Sequence, residues 1–323
     1  MVVFKYIEDK DVFQKFYSKM LAKRLVNFAS ASDDAEASLI SKLKETCGFE
    51  YTNKLQRMFT DMGLSKELND NFKEQMSRQY EKSELGMDFY ALVLASAFWP
   101  LSAPTSDFSI PTELLPMYTR FERYYGAKHS GRKLVWLWHL AKTDIATSHL
   151  PQKHIFTTSV YQAAVLLQYN SADSLSYQEL LASTSLNESA LKSAMVGLVK
   201  SKVLLKDESS SSEERYEVNT KAKFKKLRMN LAIPARSEQK QETSDVMKTV
   251  DEDRKLLLQA TIVRIMKSRK TLKHAQLVQE CISQVAARFQ PSVPTIKKAI
   301  ESLIEKEYLE RNENDRESLS YVA

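Results

Sequence analysis

One order of elements occurs twice in this chain, and it constrains the fold more than any other feature. Val160–Tyr169, Ser176–Ser183 and Glu188–Lys200 read as helices, and Val203–Lys206 and Arg215–Val218 as strands joined by the serine-rich loop Ser209–Ser212. Near the end, Asp251–Ser268, His274–Phe289 and Val293–Lys306 are again helical in period, and Tyr308–Arg311 and Leu319–Val322 are extended. Leu198-Val199-Lys200-Ser201-Lys202-Val203-Leu204 aligns without gaps with Leu303-Ile304-Glu305-Lys306-Glu307-Tyr308-Leu309. Three helices followed by a two-stranded wing predict a winged helix, so two such modules are expected, the first at about 159–218 and the second at 251–323. Between them Ser237–Thr249 is polar and lacks apolar periodicity, which predicts a linker over 237–250.

Upstream the period is helical. Phe13, Phe16, Tyr17, Met20 and Leu21 form one apolar stripe, and Ile40, Leu43 and Cys47 a second behind the candidate cap Ser32. Leu55, Met58, Phe59 and Met62 form a third, and Leu68, Phe72, Met76 and Tyr80 a fourth. Four stripes predict a four-helix bundle over 1–98. The pattern then changes. Pro100, Pro104 and Pro111 punctuate it, Phe108–Ile110 is a short strand candidate, and Leu114, Tyr118, Phe121 and Tyr125 share a helix face. Lys133–Leu140, with Trp136 and Trp138, reads as a buried strand and His154–Thr158 as a second. Residues 99–236 are thus expected to be an α/β region that includes the first winged helix. The chain has only 6 glycines, against an average usage of roughly 7%. The expected class is α+β, mostly helical.

Several chemistries are excluded. No HExxH, CxxC or GxSxG occurs, and no cofactor or metal is expected. Gly126-Ala-Lys-His-Ser-Gly131-Arg132-Lys133 resembles a phosphate loop, but Arg132 takes the lysine position and Lys133 the hydroxyl position, and the order is helix, loop, strand. His139 lies in an apolar run and reads as a satisfied core histidine. Cys47 and Cys281 are far apart and read as free thiols of a reducing compartment. The N-terminus carries charges where a signal peptide needs an apolar run, and Phe89–Leu101 is too short to span a bilayer. An intracellular, soluble protein without a membrane partner is expected. Met1 runs straight into periodic sequence, as in a piece of a longer protein.

Ile262-Val-Arg-Ile-Met-Lys-Ser-Arg-Lys270 sets Lys267 among apolar residues and cations. On a 100° wheel Leu258, Ile262, Ile265 and Met266 share one face, and Lys267 falls opposite, beside Leu256 and Val263. The lysine is therefore exposed, and its residues leave three roles open: a solvated charge, a phosphate contact, or a nucleophile that accepts a protein modifier. The runner-up function is a winged-helix nucleic-acid-binding protein. Against it, Val293–Lys306 offers Lys297 and Lys298 beside Glu301 and Glu305, with no asparagine or arginine for bidentate base contacts. Residues 251–323 carry 13 Lys+Arg and 11 Asp+Glu, and so no basic footprint.

Longer motifs carry a resemblance. Phe13-Gln-Lys-Phe-Tyr-Ser-Lys-Met-Leu-Ala-Lys-Arg-Leu, Ser32-Asp-Asp-Ala-Glu-Ala, Cys47-Gly-Phe-Glu-Tyr, Ser130-Gly-Arg-Lys-Leu, Lys226-Leu-Arg-Met-Asn, Asp251-Glu-Asp-Arg-Lys, Ile262–Lys270 and Ile304-Glu-Lys-Glu-Tyr-Leu-Glu-Arg are collinear from Val2 to Ala323. Together they resemble the C-terminal half of a cullin, nearest to the member that scaffolds SCF ubiquitin ligases. The resemblance implies a non-catalytic scaffold. A RING-box protein would add a strand to the α/β sheet, with Leu134, Trp136, Trp138, Ile155 and Phe156 as candidate contacts. That protein recruits a charged ubiquitin-conjugating enzyme. Lys267 maps onto the lysine that takes the ubiquitin-like modifier of the neddylation pathway through an isopeptide bond. Arg264, Ile265, Met266, Arg269 and Lys270 are its flanking recognition residues, and Ser268 is the one departure in that block. Further implied partners are a cullin-associated exchange factor, a deconjugating signalosome, and substrate adaptors held by an N-terminal half that lies outside this sequence. The implied location is cytoplasm and nucleus.

Overall fold

The computed structural model describes residues 2–30, 32–104, 106–207, 214–232, 236–312, 315 and 317–322, with backbone alone for 236–243. The Ser209–Ser212 loop lies outside the described residues. The chain forms two compact units. One gathers residues 1–60, 95–100 and 237–323, the other residues 61–94 and 101–236.

Helices α1 (Val2–Lys5), α2 (Lys10–Val26), α3 (Asp33–Cys47), α4 (Phe49–Gln79) and α5 (Lys82–Leu85) open the chain. Ser32 caps α3 as its sequence predicts, its Oγ accepting from the Ala35 N–H at 3.2 Å, with Asp33, Asp34 and Glu36 in the first turn. Gly48 ends α3 at φ +83°, a conformation that favours glycine. The third and fourth stripes, expected as separate helices, belong to the single 31-residue helix α4. The polar residues between Met62 and Leu68 include no proline, so nothing breaks the backbone there. Leu55 and Met58 are buried in its first part, Leu68, Phe72 and Met76 in its second.

In the second unit α6 (Leu115–Lys128) buries Met117, Phe121 and Tyr125. Two strand expectations fail. Phe108–Ile110 joins no ladder, and Lys133–Leu137 carries no ladder bonds among the described residues before the chain closes in a 3-10 turn at Trp138–Leu140. Its apolar side chains pack, but among the described residues no neighbouring strand meets its backbone. Strands β1 (Lys142–Ala146) and β2 (Ile155–Ser159) pair antiparallel with Ile145 opposite Phe156. The first winged helix follows as α7 (Val160–Gln168), β3 (Ser174–Ser176), α8 (Tyr177–Thr184), α9 (Glu188–Lys200), β4 (Leu204–Asp207) and β5 (Arg215–Val218), with sheet order β3-β5-β4. Then β6 (Arg228–Asn230) returns to pair parallel with β2, giving the order β1-β2-β6.

The last module repeats the first. It comprises the end of α10 (Arg236–Arg269), then β7 (Thr271–Lys273), α11 (His274–Val285), α12 (Val293–Glu305), β8 (Leu309–Arg311) and β9 (Ser318–Tyr321), with sheet order β7-β9-β8. Its core gathers Leu258, Ile262, Leu277, Ile296, Ile300 and Leu319. The stretch expected as a linker, 237–250, is instead helical backbone within α10, and Val246 and Val250 are buried. A missing apolar period excludes a continuous packed face but not a helix.

Candidate functional site

At the end of α10, Leu258, Ile262, Ile265 and Met266 are fully buried, so the turn of helix between them and β7 is clamped from inside. Lys270 ends the helix in the left-handed region (φ +65°), its N–H donating to Met266 C=O at 2.8 Å. Its own carbonyl accepts from Tyr321 N–H at 2.8 Å, and its ammonium lies 5.2 Å from the Tyr321 ring centroid. Arg264 donates to Gln284 Oε1 at 2.8 Å, and Arg269 pairs with Glu280 at 3.4 Å. The neighbouring cations are therefore tethered to α11 and β9. Lys267 is exposed, and among the described residues its ammonium has no hydrogen-bond or ion-pair partner.

The flanking residues divide accordingly. Arg264, Arg269 and Lys270 are at the surface, whereas Ile265 and Met266, expected among the recognition residues, are core side chains that fix the helix from beneath. Leu256 stands 63% exposed on the outer side, as expected. Val263, expected beside it, is half-buried and packs on the core. Among the described residues no carboxylate or imidazole is bonded to Lys267.

Within the same unit the module docks on the first helices through charges. Arg254 donates from Nε to Asp11 at 2.5 Å and from Nη2 to Asp9 and Asp11 at 2.8 Å each, with its guanidinium 4.5 Å from the Phe289 ring centroid. These carboxylates hold the Arg254 guanidinium above its ordinary pKa. Lys15 pairs with Asp253 at 2.5 Å and Arg288 with Glu50 at 2.7 Å. Asp9, at the N-cap of α2, makes no side-chain cap, and Arg288 C=O accepts from Lys10 N–H at 3.1 Å and Asp11 N–H at 3.4 Å.

The second candidate site lies in the other unit. Leu134 and Trp136 pack on Leu68, Phe72, Met117 and Phe121. Trp136 stacks on Trp138 at 5.5 Å, and Trp138 meets Phe108 at 5.4 Å. The residues expected to share a sheet are separated by pairing. Ile155 and Phe156 sit on β2, the central strand, whose two edges are occupied by β1 and β6. Phe156 is only 2% exposed and packs in the core of this unit. Open backbone is found elsewhere. Leu134–Leu137 donate no amide hydrogen bond among the described residues, and Val135 is 67% exposed. The extended segment 89–94, missed in the sequence, is held along one edge by side chains of α4. Asn69 Oδ1 accepts from Ala91 N–H at 2.9 Å and its Nδ2 donates to Ala91 C=O at 2.6 Å. Ser65 Oγ accepts from Val93 N–H at 2.9 Å and donates to its C=O at 3.1 Å. Leu92, between them, has neither backbone group bonded among the described residues. The i, i+4 polar pair buried on α4 was the signal available for it.

His139 was expected to be satisfied. It is half-buried in the 3-10 turn with Nδ1 unpartnered, and burial lowers its pKa. Among the described residues no cluster of His, Cys, Asp or Glu could hold a metal, and no helix is long and apolar enough to cross a membrane.

Comparison with known proteins gives the same order of parts. The cullin alpha solenoid domain matches residues 1–69, the cullin alpha+beta domain residues 93–226, and the cullin protein neddylation domain residues 253–315, which include Lys267. Cullin-1 of Schizosaccharomyces pombe is 51% identical over 98% of this chain and 41% of its own length. Cullin-1 of Dictyostelium discoideum is 50% identical over 100% of this chain and 43% of its own length. Cullin-1 of Caenorhabditis elegans is 38% identical over 100% of this chain and 42% of its own length. The chain thus spans about two fifths of the length of these relatives. Three family domains in series, and relatives aligned from end to end of its 323 residues, place this chain in the cullin family.

Proposed function

We propose that the chain is the ligase-core part of a ubiquitin-ligase scaffold of the SCF type, switched by a ubiquitin-like modifier on Lys267. The observation that carries the proposal is the exposed, unpartnered Lys267 among tethered cations, within the stretch that matches the neddylation domain. The deprotonated Nζ attacks the carbonyl of the modifier's thioester, the enzyme's thiolate leaves, and an isopeptide bond replaces the thioester. The buried Ile262, Ile265 and Met266 fix the helix beneath the amine, and the pairings of Arg264 and Arg269 keep neighbouring cations off it. The chain supplies the acceptor amine and no catalytic group.

In the second unit, a RING-box protein binds by strand addition along Leu134–Leu137 and 89–94, where backbone groups of extended chain are open. It brings the charged ubiquitin-conjugating enzyme. The exchange factor, the signalosome and the adaptors complete the assembly in cytoplasm and nucleus. Conjugation at Lys267 competes with the charged contacts of Asp253, Arg254 and Arg288 and frees the module, with α10 as the element that has to give.

The test is co-purification with a RING-box protein, then ubiquitin-chain formation with and without the modifier. Lys267→Arg keeps the charge, and conjugation and stimulation should both vanish. Persistence of conjugation on this variant overturns the assignment, and failure to co-purify overturns the scaffold reading. Duplex-DNA binding is disfavoured by α12, where Glu301 is paired with Arg311 of β8.

A further inference from the structure

The two winged helices share an architecture but differ in the groove between third helix and wing. In the last module Arg311 of β8 pairs with Glu301 of α12 across it. The gapless alignment of the two modules puts Val196 at the position of Glu301 and Lys206 at that of Arg311. The first module therefore lacks this crossing pair. Lys206 turns instead to Glu214, the residue just before β5. What remains is a concavity of about 850 Å³ along α9, lined by Met195, Val199, Tyr177 and Tyr216 among others. Val196 stands in it 54% exposed, although a surface helix usually turns such a residue inward. Lys192 and Lys200 lie about one turn to either side of Val196 on the same ridge, and neither makes a salt bridge among the described residues. Glu188, at the far end, is the groove's other carboxylate beside the paired Glu214.

We propose that this groove on the first winged helix, from Glu188 to Lys200, is a docking site for an acidic amphipathic helix of a partner protein. The 13 residues of α9 offer a ridge of ~18 Å between their ends, the length of about three helical turns. A partner helix with apolar residues at i, i+3 or i+4, and i+7 fills the space beside Val196 and Val199. Its flanking carboxylates meet Lys200, and Lys192 beside Glu214, whose carboxyl is held below the usual range chiefly by its bond to Lys206 and in part by Lys192. The two tyrosines add aromatic area with hydroxyls already engaged: Tyr177 donates to Glu188 C=O at 3.1 Å and Tyr216 to Glu214 at 3.0 Å.

The test is selection of a displayed library of helix-restrained 14-residue peptides on the full chain, counter-selected on the Val196→Asp variant. The expected result is enrichment of peptides with an apolar i, i+3/i+4, i+7 stripe flanked by Asp or Glu. Binding of such a peptide should weaken at least about tenfold on Val196→Asp. Lys192→Glu/Lys200→Glu should reverse its preference towards lysine-flanked counterparts. Val196 is exposed, so thermal melting should show both variants folded. Enrichment independent of Val196, enrichment of basic peptides on the unchanged chain, or no enrichment overturns the proposal. So does competition by duplex DNA instead of the acidic peptide, which would make the groove a nucleic-acid surface.

Discussion

Of the six glycines, Gly197 is the one whose missing side chain the packing requires. A Cβ there would lie 2.5 Å from Gln162 Nε2 and 3.4 Å from Leu231 O. Gln162 is buried, accepts from Ser159 N–H at 3.0 Å, and donates to Leu231 C=O at 3.1 Å, so it ties the start of α7 to the residue after β6. Gly197→Ala should push Gln162 off Leu231 and destabilise the chain by about 1–3 kcal/mol in urea unfolding. In a Gln162→Ala background most of that cost should disappear, because the clash goes with the amide. His139 gives a pH signature. Its folded pKa lies below its unfolded value through burial, so the unfolded state takes the proton more readily. The stability it confers is present above the unfolded pKa and is lost as pH falls towards the folded one. His139→Leu should flatten the decline of Tm below neutral pH, leaving the part due to His149, which burial shifts in the same direction. At this scale the exposure of Lys267 was legible, because a 100° wheel needs only neighbours in sequence. The tethers of Arg264 and Arg269 were not, because Gln284 and Glu280 come from α11. Gln162 was equally hidden, its acceptor lying 69 residues away.

Among elements, local period was readable and pairing was not. The Ser32 cap and the Ile40–Leu43 stripe of α3 depend on residues within one or two turns, and the structure keeps them. The Lys133–Leu140 run looked like a strand because aromatic and branched residues suit a pleated surface. Strandness is a property of a pair, however, and among the described residues no neighbouring strand meets this backbone. The short strands β3 and β7 went unread for the opposite reason. Each is three residues long, with a single apolar side chain, Leu175 or Leu272, and exists through its pairing with β5 or β9. The contact of α2 with the last module shows how an unread pairing sets stability. Arg254 is mostly shielded, as is Asp11, and the two make a bidentate bond. Arg254→Ala leaves two carboxylates without a counter-charge and should cost roughly 1–3 kcal/mol. The same substitution should speed hydrogen exchange at the Lys10 and Asp11 amides, whose acceptor is Arg288 C=O. Unchanged exchange there would mean that the carbonyl cap stands without the ion pairs.

At the scale of the molecule, sequence order and compact units diverge. The unit that carries Lys267 is built from both ends of the chain, a fact no local period can report. Its two ends meet through Arg254 with Asp9 and Asp11, Lys15 with Asp253, and Arg288 with Glu50. These are mainly charged contacts with partly exposed partners, so salt should weaken them where an apolar seam would persist. The module also has its own closed core, from Leu258 to Leu319, and that core does not draw on α2. Residues 244–323 should therefore fold alone and bind a chain of residues 1–236 in trans. Calorimetry should find this association weakened severalfold between low and high salt, and weakened again by Arg254→Ala at low salt, with the two effects overlapping because they remove the same contacts. Salt-independent association would mean that apolar burial holds the module. A modifier on Lys267 would then have to displace packing, not charge, to release it.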